Sequence, residues 1–285
     1  MRPLNRRLSD PTAAFVIETI TQESVIRLAT QQSLPAPPQV VMRLLKVIQS
    51  EDFSLADIVD VVESDVSAAA TVMAAANTAA TRGVNEVTSV RDAVTRLGAQ
   101  ATRDRVMHQA MQAAFQPRHP ALAGLLSKEW ALAAQVATLL RQVSCAEIGL
   151  EDADTAFTIG LFHNVGMVPL LSAAPALVNI GSASDYYVAA RHHASALGGV
   201  LAKRWHLGTA VYETALNCLR PATAGWGAWG LVRIARQVCA QRIGHGAAVD
   251  EQTLSAATLA AQEALQMTDI VAWMQEHGAE ALSAA

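Results

Sequence analysis

With 285 residues, 52% of them hydrophobic and 16% charged, the chain can bury a large core and does not have the composition of a disordered segment. A net charge of -4 provides no global attraction to nucleic acid or anionic lipid. Cys145, Cys218 and Cys239 are too widely spaced for a Cys-x-x-Cys site and fit buried thiols in a reducing compartment.

The N-terminal arginines Arg2, Arg6 and Arg7 are not followed by an apolar run, so no secretory signal is expected. Residues 13–32 carry Phe15, Val16, Ile20, Val25, Ile26 and Ala29 at helical spacing. The stiff Leu34-Pro-Ala-Pro-Pro38 connector follows. This predicts an N-terminal helical appendage over 1–33, then a main domain.

Beyond Pro38 the helical signals come quickly. Val40, Val41, Leu44, Leu45 and Ile48 make one stripe; Ser54 with Asp57 forms a capping box for the next helix. Asp65 caps an Ala-rich helix expected to reach about Ala80 and to end at Arg82-Gly83. Thr88 or Ser89 opens a helix that Gly98 closes, and a longer one runs from about Gln100 to Phe115. After the two prolines of Gln116-Pro-Arg-His-Pro120, a long helix over about 122–143 carries Trp130. The acids Glu151, Asp152 and Asp154 begin the helix that delivers His163. Pro169 and Pro175 punctuate the part after it, and Asp185 begins a helix bearing Arg191, His192 and His193. A further helix reaches about Leu219. Residues 221–230 read as a Gly-rich loop holding Trp226 and Trp229, and helices are expected over about 231–243, 251–266 and 269–277. No alternating pattern of strand length is present, so the fold class is all-α.

Several of these segments, in this order, resemble the HDOD family, the HD-related output domains of bacterial signalling proteins. The resemblance covers roughly Ser33 to Pro221. It rests on Leu34-Pro-Ala-Pro-Pro-Gln-Val, on Glu63-Ser-Asp65 followed by an Ala-rich helix and Asn77, and on Thr88-Ser-Val-Arg91-Asp-Ala-Val with Leu97-Gly98. It rests also on Gly160-Leu-Phe-His163-Asn164-Val-Gly166 and on His193 through Gly198 to Trp205-His-Leu207. The resemblance implies an all-α, multi-helix HD-domain-like bundle over 34–221; the helices of 222–285 resemble the family only loosely and are expected to pack on the same domain. It also implies a signalling output or adaptor role.

The HD phosphohydrolases, to which the family is related, hold one or two metal ions with a first His, a His-Asp pair and later acids or histidines. By that resemblance the first His falls at Trp130, and the pair survives only as His163-Asn164. Met167 stands where catalytic relatives have Lys, and Asn217-Cys218 replaces a later His pair. His163 and His193 are too few to hold a catalytic metal, and a neutral Asn amide is a poor ligand for a hard cation. A relic cleft lined by His163, Asn164, His193 and Trp130 is expected, with no metal, no cofactor and no catalytic residues. His163 reads as a buried histidine bonded to Asn164 or to a neighbouring helix. Asn164 reads as a helix-terminal residue that bonds backbone groups.

Arg91, Arg96, Arg103 and Arg105 around Gly98 read as a solvated face, and nucleic acid is not an expected partner. Trp226, Trp229 and Arg91 are the candidate contact residues. The partners expected are signalling proteins, a small-molecule regulator in the relic cleft and a second copy of the chain; no membrane is expected, and the compartment is read as cytoplasmic. The alternative reading is a metal-dependent phosphohydrolase or phosphodiesterase with altered ligands.

Overall fold

The computed structural model describes residues 36–78 except 49 and 51, 86–144 except 118, 152–172, 183–219, 228–243, 258, 262 and 269–283. The expected helix over 13–32, Trp226, Cys145 and most of 251–266 lie outside them. All regular elements among the described residues are helices, as the sequence predicts.

The first half packs α1 (Gln39–Ile48), α2 (Leu55–Glu63), α3 (Val66–Ala76), α4 (Val90–Leu97) and α5 (Ala99–Ala114). Their starts follow the local chemistry. Ser54 and Asp57 form the reciprocal capping box of α2, Asp65 accepts from the Ala68 N–H at the start of α3, and Ser89 accepts from Asp92 at the start of α4. Helix α3 is shorter than expected, ending at Asn77. The Asn77 side chain donates to Val87 O and accepts from Val87 N–H, both at 2.9 Å. It thereby supplies both hydrogen-bond partners of the Val87 backbone in the approach to α4.

The second half is organised around α6 (Pro120–Ser144), with α7 (Ala153–Phe162), α8 (Met167–Ser172), α9 (Ala183–Arg204), α10 (Thr209–Asn217), α11 (Ala228–Arg242) and α12 (Ile270–Ser283). Helices α7, α8, α11 and α12 all pack on α6. One apolar cluster runs from Val40 to Met274 and joins both halves, with Phe115 of α5's end against Trp130 and Trp205. The stretch Ala153–Ser172 is long and apolar enough to cross a membrane by composition, but 89% of it is buried against other helices. It is the inner pair α7–α8 of this core.

Trp229, expected in a loop, stands in the first turn of α11. Every residue from Gly230 to Ala240 is buried. A helix covered on all faces belongs to a protein interior, so any charge it carries needs an internal partner. The buried stretch carries two, Arg233 and Arg236, and Arg242 stands exposed at the end of the helix.

Candidate functional site

Helix α7 ends at Phe162, and the turn 163–166 leads into α8. Two glycines let this turn sink into the protein. A Cβ on Gly160 would lie 2.5 Å from Ala137 Cα of α6, and one on Gly166 would lie 1.9 Å from Ala194 O of α9. With His163 and Asn164 each 1% exposed, the pair stands inside the molecule, between α6, α9 and α11.

Glu129 of α6 and Arg236 of α11, both fully buried, meet it there. Arg236 Nη2 lies 2.8 Å from Glu129 Oε1 and Nη1 lies 3.2 Å from Oε2, a two-pronged pair. Nη1 also donates to His163 Nε2 at 2.9 Å. On its other side the His163 ring places Nδ1 2.6 Å from Gly160 O. A carbonyl can only accept and a guanidinium can only donate, so Nδ1 carries the hydrogen and Nε2 is the bare acceptor. The two contacts fix the same tautomer.

Asn164 Nδ2 donates to Glu129 Oε2 at 2.5 Å and to Glu129 O at 3.2 Å, so only part of its bonding is to backbone. The Tyr187 hydroxyl of α9 donates to Glu129 Oε1. The Cys218 thiol donates to His163 O at 2.9 Å, which ties the turn to the end of α10. Burial pushes that thiol up to about 12, so it is a protonated donor rather than a nucleophile. Burial also raises the Tyr187 hydroxyl above its ordinary range, with the Glu129 charge adding to it. For Arg236, burial acts downward, but the Glu129 carboxylate together with Tyr187 and Cys218 outweighs it, and the guanidinium is held more firmly protonated than usual.

His163 is shifted down to about 3, first by burial and then by the adjacent Arg236 charge. Between its ordinary value of 6.5 and about 3, the unfolded chain binds a proton that the folded chain refuses. The stability from neutral His163 is therefore complete above pH 6.5 and is lost as pH falls toward 3, by roughly 1.4 kcal/mol per pH unit within that window. Urea unfolding at pH 7, 6 and 5 should show this slope, and His163→Gln should flatten it.

The other expected site residues do not join this cluster. Trp130, one position along from Glu129, turns about 100° around α6 and packs edge-on to His108 and beside Phe115. His193 is half-buried on α9 and takes no part in the hydrogen bonds above. Arg91 is exposed in the first turn of α4. Trp229 lies with its ring 4.8 Å from the Arg233 guanidinium carbon, and Arg233 donates to Asn217 O at 2.7 Å, capping the end of α10. Arg103, expected on a solvated face, is buried. It pairs with Asp154 at 2.8 Å and Asp104 at 3.0 Å, while Arg141 pairs with Asp104 and stacks on Phe157. That bracket clamps α5, α6 and α7 together.

Glu129, Tyr187 and Arg236 were the residues sequence reasoning missed. The signal available for the two charges was their setting, Glu129 and Arg236 each within a largely apolar stretch of helix.

A metal ion at the His-Asn pair would need the lone pairs of His163 Nε2 and of the Glu129 carboxylate. Arg236, Tyr187 and Asn164 already take them. Asn164 Oδ1 has no protein partner but is one neutral acceptor, too weak to hold a hard cation alone. Among the described residues no three His, Cys, Asp or Glu side chains converge. The residues present do not fit a metal. A groove of about 280 Å³, lined in part by Pro38, Asp65, Val106 and Ala110, shares no residue with this cluster.

Residues 34–221 match the family described as the HDOD domain. Among solved structures, the chain resembles an HDOD domain protein of unknown function from Geobacter sulfurreducens. Identity is 19% over 92% of this chain and 94% of that one, with a TM-score of 0.59. A protein from Shewanella amazonensis SB2B named as a candidate phosphohydrolase is 22% identical over 90% and 93% of the two chains, at a TM-score of 0.60. A protein from Marinobacter aquaeolei VT8 named as a candidate signal transduction protein is 21% identical over 95% of this chain and 60% of its own, also at 0.60. At these identities the likeness is one of fold. No curated protein matches the chain in sequence. The family match spans two thirds of the chain and the helical order agrees with it: the protein belongs to the HDOD domain family.

Proposed function

We propose that the chain is a non-catalytic output or adaptor module of bacterial signal transduction, acting through protein–protein contacts. One observation carries the reading. The acceptor atoms of His163 and Glu129 that would serve chemistry at the HD centre are engaged by Arg236, Tyr187 and Asn164, in a cluster sealed from solvent. Water activation needs a metal or a base with a free lone pair and a path for substrate. A small regulator in the same place would first have to break the Arg236–Glu129 pair. This favours recognition on the outer surface, where signalling modules work by contact.

The test is turnover. Purified protein, supplied in turn with manganese, iron and magnesium, is expected to hydrolyse p-nitrophenyl phosphate, bis(p-nitrophenyl) phosphate and cyclic dinucleotides no faster than buffer. A partner crosslinked to it in cells should bind equally well with chelator present. Metal-dependent turnover that His163→Ala abolishes would overturn the reading in favour of a phosphohydrolase.

A further inference from the structure

The centre of this fold already contains a cation, and the chain supplies it. We propose that Arg236 is a tethered replacement for a metal ion, and that Glu129, His163 and Tyr187 form a receptor for a planar guanidinium. The inference rests on the non-catalytic reading above and says what took over the site.

The geometry suits a planar cation. Both terminal nitrogens of Arg236 face the two oxygens of one carboxylate, the parallel arrangement that only a flat fork can make. The same Nη1 reaches His163 Nε2, held as an acceptor by the Gly160 carbonyl on the far side of the ring. Tyr187 supplies a donor to the carboxylate oxygen that also receives Nη2.

Charge balance explains the residue at 164. A single positive guanidinium neutralises the single carboxylate of Glu129. An Asp at 164 would leave a second buried negative charge without a counter-ion, and an uncompensated buried charge is among the most destabilising features a core can carry. Asn164 keeps the shape, donates to Glu129 and adds no charge. The loss of the acid and the presence of Arg236 are thus two sides of one substitution: a divalent ion with several acids gives way to a monovalent cation with one. The replacement comes from α11, which lies beyond the segment matched by the family.

The experiment is chemical rescue. Arg236→Ala should lower the melting temperature by roughly 10 °C. Millimolar N-ethylguanidinium, which replaces the deleted atoms, should restore at least half of that loss and saturate. N-ethylammonium, of equal charge but wrong shape, should not. Rescue should vanish in Arg236→Ala/Glu129→Gln. Absence of a guanidinium-selective rescue would overturn the proposal. Should that variant fail to fold, nitrogen NMR of the wild-type histidines decides. A neutral Nδ1–H tautomer at His163, unmoved by zinc, is expected; a zinc-induced shift of its Nε2 would refute the assignment. Failed rescue in a protein whose wild type remains inert would sink this inference alone, whereas wild-type metal-dependent turnover would sink the functional reading beneath it.

Discussion

Glu129→Ala is expected to destabilise the fold by about 3–5 kcal/mol, because it strands the buried Arg236 charge and removes the carboxylate oxygens to which Tyr187 and Asn164 donate. Melting should fall by on the order of 10 °C. The paired change Glu129→Met/Arg236→Met should cost far less than the two single losses together. Methionine fills comparable volume, and taking both charges out of a dry interior removes the large desolvation penalty each carries. Some cost remains, since His163 Nε2 and the Tyr187 hydroxyl lose their partner. Urea denaturation of the wild type, both single methionine variants and the double variant forms a cycle whose coupling should reach at least about 2 kcal/mol. Additive losses would mean that the pair is two independent contacts rather than one electrostatic unit.

Gly166→Ala should be at least as damaging. Its Cβ would come 1.9 Å from Ala194 O and 2.6 Å from Gly198 N, both backbone atoms of α9 that no rotamer change can move aside. To accept a methyl group, the turn carrying His163 and Asn164 would have to lift away from α9 and break the hydrogen bonds made there. We expect a loss above about 4 kcal/mol, in the range reserved for severe core disruption, or no folded protein at all. Gly124→Ala on the exposed side of α6 is the matched control. Nothing lies within 4 Å of its added Cβ, and helix propensity should make the change stabilising by about 0.5–1 kcal/mol. Thermal melts of the two variants side by side separate steric exclusion from any general effect of replacing glycine.

Much of this architecture could be read from the chain because its determinants are local. Ser54 with Asp57, Asp65 and Ser89 are caps whose partners lie within three residues. Periodic apolar stripes such as Val40, Val41, Leu44 and Leu45 disclose a buried face without reference to the rest of the molecule. The end of α3 was misread because Asn77 is held by Val87, ten residues on, through a side-chain amide that no helix rule anticipates.

The cluster around His163 was half legible. The His-Asn pair and its glycines stand in one short stretch, but Glu129 lies 35 residues before Asn164, and Arg236 lies 73 residues after His163. Reading the long helix for a relic histidine pointed to Trp130, and the side chain that faces the pair is its neighbour. Arg236 stands in the sequence only as a charge within a largely apolar stretch. The same observation, pressed further, asks what an arginine is doing in an apolar helix, and the answer is a buried acid elsewhere. Arg103 was misjudged for a related reason: its counter-ions include Asp154, on a helix that local sequence does not connect to it.

The placement of Arg236 also bears on how such a protein can be recombined in evolution. The family segment ends at 221, yet the cation that neutralises its innermost acid, and the Arg233 cap on α10, arrive on α11. Splicing another module onto residue 221 would leave Glu129 as an orphan acid in the middle of the recipient. The unit that folds in this protein is therefore longer than the segment the family matches, and fusions that preserve the fold must carry α11 along with it.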